Sequence, residues 1–324
     1  MNDDPVLDFL REKKDGYVSG EEMSRRLKVS RAAVWKGIEV LRRLGYEVES
    51  RAGQGYRLTG IPDKMFADEI AYGLKTRMIG KKIFSYEDLD STNDAAWRLG
   101  EEGLPEGACV FAEHQKKGRG RMGRSWLSPK GKGVLLSVLL RPKLSPAEAA
   151  RVTLMTAVSA ARAMKKHVGK APGIKWPNDL LYGGKKVCGI LTEMSAELDR
   201  VKFVVVGIGV NVNASAKDLP PGSTSLREAA GRAVSRQDFA RDLLTEMEAD
   251  YLRLKDGRFE EIVRDWEDHS ATSGKRVTAT VFGRKIQGQA VGIDSDGALW
   301  IRRDNGLQER VLAGDVQHLD GVRA

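Results

Sequence analysis

An α+β protein built in three successive parts is what this 324-residue sequence predicts. Helix caps lead into an alternating pair of short apolar segments at the front. Helix-period and strand-period segments are mixed without regular alternation in the middle, and only short strands separated by turn signals stand at the end. A chain of this length accommodates two or three domains.

The first part spans residues 1–62. Asp4-Pro5 reads as an N-cap followed by proline at the first helical position, opening a short helix through Leu7 and Leu10. Ser19 and Glu22 have the spacing of a capping box, which starts a second helix ending near Leu27. Ser30 caps a third helix with an apolar face of Val34, Ile38 and Leu41, and Gly45 ends it. Tyr46-Glu47-Val48-Glu49 and Tyr56-Arg57-Leu58 then alternate around a turn holding Gly53 and Gly55. Three helices and a hairpin make the winged helix-turn-helix plan.

Ile61-Pro62-Asp63 marks a boundary, since proline disfavours helix at the preceding residue. In the second part, residues 63–271, strands are expected over 107–114, 134–140, 187–194 and 201–212. Helices are expected over 147–166 and 235–254. Phe239, Leu243, Met247, Tyr251 and Leu254 share one face of the second helix. The result is a mixed sheet, not a doubly wound one. In the third part, 272–324, strands over 276–282, 289–293, 298–302 and 309–312 predict a small barrel. Its hairpins are marked by Asp296-Gly297 and Asn305-Gly306, dipeptides suited to positive φ.

The formal net charge of +9 points to an anionic partner: nucleic acid, nucleotide phosphates or an acidic protein. Cys109 and Cys188 lie in apolar stretches without CxxC spacing and read as buried core thiols. Four scattered histidines give little support to a zinc site or a Ser-His-Asp triad. No apolar run approaches the roughly 20 residues of a membrane span, and the acidic N-terminus is no signal peptide. A cytoplasmic, membrane-free location is expected.

The densest chemistry lies at 115–126, where Gly118, Gly120 and Gly123 formally spell GxGxxG among five cations. A dinucleotide fold needs a helix immediately afterwards, and Ser128-Pro129-Lys130-Gly131 forbids one. What remains is a cationic glycine loop suited to phosphate or carboxylate. A solvated basic loop or a nucleic-acid patch would have the same composition. A second cluster, KWPND at 175–179 and KKVCGIL at 185–191, has a proline in a strand-like run, suggesting a sheet edge or bulge. A surface hairpin turning at Gly183-Gly184 would also account for it. Asp90-Ser91-Thr92-Asn93 heads a helix, where capping is the plain reading. Gly207 and its neighbours up to Asn211 put glycines in a strand, a mark of close ligand approach.

Together, DSTN at 90–93, GRGRMGR at 118–124, KWPND, KKVCGIL and GIGVN at 207–211 resemble the bifunctional biotin protein ligase and biotin-operon repressor family. The motifs stand in the family's order, and the flanking parts fit, so the resemblance covers essentially the whole chain. It implies a class II synthetase-like centre and an SH3-like barrel behind it. The implied activity has two steps: biotin and ATP give biotinyl-AMP, and biotin then passes to a lysine of a biotin carboxyl carrier protein of acetyl-CoA carboxylase or similar. Mg²⁺ accompanies ATP, with ligands the resemblance leaves unassigned. The resemblance makes Lys186, Arg121 and Asp179 catalytic. It puts Ser91, Thr92, Asn93, Gln115, Arg119, Gly120, Arg121, Lys186, Gly189 and Gly207 around biotin. It puts Arg121, Arg124, Trp126, Lys175, Asn178 and Asn211 around ATP. Met122 stands where the family often has arginine, leaving one cation fewer.

For the head, the expected DNA-contacting residues are Arg25, Ser30, Arg31, Ala32, Trp35, Lys36 and Arg51, with the third helix in the major groove. Family members repress biotin synthesis genes as homodimers on operator DNA, with biotinyl-AMP as corepressor. Two rivals stay open: a ligand sensor with a dead catalytic fold, and a lipoate or octanoyl transferase.

Overall fold

The computed structural model describes residues 5–13 and 16–319, in two compact units, one up to Lys64 and one from Met65 onward. Asp4, expected to cap the first helix, falls outside the described residues.

The first unit contains α1 (Pro5–Glu12), α2 (Gly20–Leu27), α3 (Arg31–Leu44), β1 (Glu47–Arg51) and β2 (Gly55–Gly60). The Ser19 hydroxyl accepts from the Glu22 amide at 3.0 Å, while the Glu22 carboxylate pairs with Lys13 at 3.2 Å. Half of the capping box therefore forms. Ser30 caps α3 by accepting from the Ala33 amide at 3.1 Å, and Gly45 ends it at φ 101°. Val34, Ile38 and Leu41 are buried with Val6, Leu7, Leu10 and Met23. β1 and β2 pair with Val48 opposite Leu58, and Val18 bridges Tyr56, completing the wing.

The second unit continues with α4 (Ala67–Ala71), β3 (Ile83–Leu89), α5 (Thr92–Glu101), β4 (Cys109–Gln115), β5 (Gly133–Leu140) and α6 (Ala150–Val168). β6 (Gly173–Lys175), β7 (Asp179–Tyr182), β8 (Lys185–Glu197), β9 (Arg200–Asn211), α7 (Leu226–Ala230), α8 (Arg236–Lys255) and α9 (Phe259–Asp268) follow. The sheet runs β3-β4-β5-β9-β8-β7-β6, parallel only at β3–β4, so it is mixed as expected. Every residue of β5 is buried, which explains its unbroken apolar run. α6 and α8 cover one face. α5 packs on the other with Val110, Leu139, Phe203 and Val205, and leaves the β8–β9 end of that face uncovered.

One buried ion pair ties this layering together. The Arg236 side chain, on α8, is only 1% exposed and donates to Glu113 of β4 at 2.7 Å and to the Gly133 carbonyl at 3.2 Å. Glu113 also accepts the Met65 amide at 2.6 Å.

The C-terminal strands are β10 (Arg276–Val281), β11 (Arg284–Ile293), β12 (Leu299–Arg302), β13 (Gln308–Val311) and β14 (Asp315–His318). Their order, β13-β12-β11-β10-β14, is an open sheet, which corrects the expected closed barrel. β13 and β14 are four residues each and do not pair with one another; Asp315 pairs with Thr280 of β10, while its side chain and the Gly314 carbonyl receive Arg124 and Arg121. The hairpin dipeptides are also only half as expected. Gly297 (φ 83°) and Gly306 (φ 82°) are left-handed, and Asp296 and Asn305 are not.

Both cysteines are free and buried. Burial pushes the Cys109 thiol up to about 12 and the Cys188 thiol up as well, so both stay protonated at any ordinary pH. Neither is expected to react with a thiol reagent in the folded protein at pH 8, and both should react in guanidinium. Titration with a chromogenic disulfide checks this.

Candidate active site

The uncovered sheet end becomes a cleft because three strand residues lack side chains. On β8 and β9, Gly189 faces Gly209 and Leu191 faces Gly207. A Cβ on Gly209 would stand 2.4 Å from the Trp126 indole, and one on Gly189 3.0 Å from it. A Cβ on Gly207 would stand 2.2 Å from the Asn93 Oδ1. The glycines thus admit an indole and an amide into space that any side chain would fill. The cleft encloses about 810 Å³, including its open mouth, which is the size of a nucleotide-plus-acid site.

Residues 118–126 fold over it as a small flap. The Gly120 amide donates to the Arg124 carbonyl at 2.7 Å, and the Trp126 amide to the Gly118 carbonyl at 2.9 Å. Met122 (φ 55°) and Gly123 (φ 71°) turn its tip. A single 3₁₀ turn, Arg121–Gly123, is the only helical feature, so the dinucleotide reading stays excluded. The Gly120 N–H is spent inside the flap, which leaves its carbonyl for a ligand.

At one end of the cleft stand Ser91, Thr92, Asn93 and Gln115. Ser91 precedes α5 but its side chain makes no capping bond, contrary to the plain reading. Gln115 does that work from β4: its Oε1 accepts the Thr92 amide at 2.7 Å and the Thr92 hydroxyl at 3.0 Å. The Asn93 Oδ1 accepts from Ser137 at 2.5 Å, and its Nδ2 donates to Glu193 at 2.6 Å. Arg119 lies at this end, held by Asp94 and Glu193. Those hydrogen bonds raise its guanidinium pKa further, Asp94 contributing most.

At the other end are the cations. A bulge in β8, where pairing with β7 slips between Leu180 and Leu181, turns Lys186 into the same cleft as Gly189. The Lys186 backbone is gripped on both sides, its N–H donating to Gly222 and its carbonyl accepting from Thr224, each at 2.8 Å. Its Nζ lies 2.7 Å from the Asp179 carboxylate and 5.6 Å from the Trp126 ring centre. Arg124 pairs with Asp315, which holds its guanidinium pKa up. Arg121 differs: it donates to the neutral oxygens of Asn178 (3.3 Å) and Gly314 (3.1 Å), and makes no ion pair among the described residues. Burial lowers its pKa, with Asp315 and Asp179 pulling the other way. Its charge is the least compensated in the cleft.

Two expected site residues lie off the cleft wall. Lys175 sits on edge strand β6, partly exposed. Asn211 is 3% exposed; its Nδ2 donates to the Thr224 carbonyl at 3.1 Å, and its Oδ1 is buried with no protein partner. Sequence reasoning missed Asp94, Ser125, Glu193 and Asp315. Gly209, one of the strand glycines read as a mark of close ligand approach, lies two residues from Gly207 and so on the same face of β9, beneath the indole. Asp315 had no signal. Among the described residues no cluster of three or more His, Cys, Asp or Glu could hold a metal.

In the head, Arg25, Ser30, Arg31, Ala32, Trp35, Lys36 and Arg51 are all exposed, Trp35 by 54%. Arg25, Arg31, Lys36 and Arg51 form no ion pair among the described residues, whereas the Ser30 hydroxyl is taken up as the cap of α3. No helix among the described residues is long and apolar enough to cross a membrane.

Known proteins match in the same three places. The Biotin/lipoate A/B protein ligase family pattern matches residues 86–213, an HTH domain 5–57, and the Biotin protein ligase C terminal domain 272–319. The bifunctional ligase/repressor BirA of Bacillus subtilis is 37% identical over 316 residues, covering 96% of this chain and 97% of its own. The Escherichia coli protein of the same name is 30% identical over 304 residues, 93% of this chain and 92% of its own. Among solved structures, the biotin protein ligase from Aquifex aeolicus in complex with biotin and ATP superposes at TM-score 0.64. It is 28% identical and covers 74% of this chain and 99% of its own. With near-full-length similarity at that level, this chain belongs to the biotin protein ligase family, in the branch that carries a helix-turn-helix head.

Proposed function

We propose that this protein adenylates biotin with ATP, passes the biotinyl group to a lysine of a biotin carboxyl carrier protein, and represses transcription through its head. The observation that carries the enzyme reading is the convergence of Arg121 and Lys186 on one glycine-floored cleft, with Arg121 in no carboxylate pair among the described residues. A carboxylate approaching a polyphosphate meets repulsion, and fixed cations in a partly dry cleft remove it.

In the first step a biotin carboxylate oxygen bonds to the α-phosphorus of ATP as the bond to pyrophosphate breaks. Lys186 and Arg121 neutralise the carboxylate and the phosphate, and Arg124 steadies the phosphates. Trp126 offers an apolar wall to the adenine. Asn178 stands beside Arg121, while Asn211, off the cleft wall, holds the carbonyl of Thr224, the residue whose amide grips the Lys186 backbone. Ser91, Thr92 and the free Nε2 of Gln115 suit the ureido ring, with Asn93 bracing them. In the second step the carrier amine attacks the acyl carbon and AMP leaves. Asp179 is the carboxylate placed to orient that amine or take its proton. The flap keeps water from the anhydride.

Mg²⁺ fits as a phosphate-borne ion, since it commonly binds through one or two carboxylates plus substrate oxygens, and Asp179 and Asp315 line the cleft. When bound it supplies charge neutralisation on the phosphates. Free thiols and an ATP substrate suit action in the cytoplasm.

Incubation with biotin, α-labelled ATP and a carrier domain tests the reading. Labelled biotinyl-AMP and a biotinylated carrier are expected; no adduct at saturation would leave only a ligand sensor. Lipoate should fail to compete with biotin. Gly209→Ala is expected to push the indole off the floor, raising KM for ATP about tenfold and changing tryptophan emission.

For the head, exposed cations that form no ion pair among the described residues, beside an exposed Trp35, support docking of α3 in a major groove. Arg31→Ala should flatten the plot of log affinity against log salt by about 0.9 if Arg31 meets a phosphate. Fluorescence anisotropy across a salt series checks it. Homodimerisation promoted by biotinyl-AMP would raise operator affinity by linkage, without any contact between ligand and DNA.

A further inference from the structure

We infer that Arg119 acts as a clasp that fastens the flap to the body of the catalytic unit, with Asp94 and Glu193 as its keepers. Its guanidinium meets both carboxylate oxygens of Asp94, at 2.9 and 2.7 Å. It also lies 3.2 and 3.4 Å from the two oxygens of Glu193. Three elements meet there: the first leg of the flap, the first turn of α5 and the exposed half of β8. Asn93 completes the arrangement, because its Nδ2 donates to the same Glu193 carboxylate while its Oδ1 takes the Ser137 hydroxyl.

Charge accounting separates this role from substrate binding. Arg119 carries one positive charge against two carboxylates, so that end of the cleft is net negative and repels an anionic substrate group. Arg121 and Lys186 at the opposite end do the reverse. A ligand with one acidic end is thereby set in a single direction, its neutral end toward the clasp. Arg119 and Asp94 are each about two-fifths exposed, and a single ion pair of that kind contributes little. Bidentate geometry and a second carboxylate make this one the exception. Arg119 also stands opposite Ser125 in the flap's backbone bridge, so its fastened side chain ties the paired legs to α5 and β8.

The test uses hydrogen exchange of the full-length, ligand-free protein, read at the Gly120 and Trp126 amides that hold the flap's own hydrogen bonds. Asp94→Asn and Arg119→Ala should each speed exchange there by about fivefold, with the double variant no faster than either single one. Asp94→Glu, which keeps the charge, should restore part of the protection. Amides of β5 serve as the control for general destabilisation and should not change. Wild-type flap exchange in Asp94→Asn, or multiplying effects in the double variant, would overturn the clasp.

A second arm rests on the ligase reading: preformed biotinyl-AMP should escape from Asp94→Asn about fivefold faster than from the wild type. If escape is unchanged while flap exchange rises, the clasp does not guard the intermediate and that part of the inference is lost. A wild-type chain that makes no biotinyl-AMP would sink the ligase reading and leave the clasp to be judged by exchange alone.

Discussion

Lys186→Ala is expected to slow biotinyl-AMP formation by about 10²- to 10³-fold, the usual loss when one fixed group that stabilises transition-state charge is removed. Two effects add. The cleft loses the ammonium that meets carboxylate and phosphate. Asp179, now without the cation 2.7 Å away, presents a bare negative charge to an incoming polyphosphate. The double variant Lys186→Ala/Asp179→Asn should therefore recover part of the loss in the first step, although it gives up whatever Asp179 does in the second. Thermal stability should stay nearly constant, because the Lys186 side chain is about one-third exposed and its strand is held through the backbone. Formation of labelled biotinyl-AMP in single-turnover conditions, read beside a melting curve, checks both statements. Unchanged turnover would place the reacting centre elsewhere.

The largest effect on stability should come from Glu113→Ala. Arg236, almost fully buried, would lose the Glu113 carboxylate, and the Met65 amide would lose its acceptor. Breaking a buried pair by removing one partner costs about 3–5 kcal/mol. For a unit of this size each kcal/mol lowers Tm by about 2–4 °C, so a drop of about 10 °C is expected. Replacing both partners with apolar residues of similar volume should be far milder, since no uncompensated charge remains. Differential scanning calorimetry of Glu113→Ala, and of a Glu113→Leu/Arg236→Met pair, separates the two cases.

Much of this architecture was legible before any coordinates. The caps at Ser19 and Ser30, the face running through Phe239, Leu243, Met247, Tyr251 and Leu254, and the continuous apolar run of β5 are local signals, and local physics decided those elements. The cleft was legible as a set of motifs, and its wall includes most of the residues those motifs named. What escaped depends on contacts between distant segments. Ser91 looks like a cap until Gln115, 23 residues beyond Thr92, takes the helix amide instead. Lys186 joins Gly189 on one face only because a bulge breaks the two-residue period. The C-terminal sheet stays open between β13 and β14, and loop arginines reach Gly314 and Asp315 across almost two hundred residues, neither of which strand propensity and turn dipeptides encode.

That last fastening has a consequence for synthesis on the ribosome. Arg121 and its Gly314 acceptor are 193 residues apart, and Arg124 waits 191 residues for Asp315. At about 5–20 residues per second, the arginines emerge roughly 10–40 seconds before the partners that seat them. Through that interval the nascent sheet can form with its anion-gathering loop fastened at Arg119 alone, the tip still unseated. Full seating of the loop is thereby deferred until residues 314 and 315 have been made.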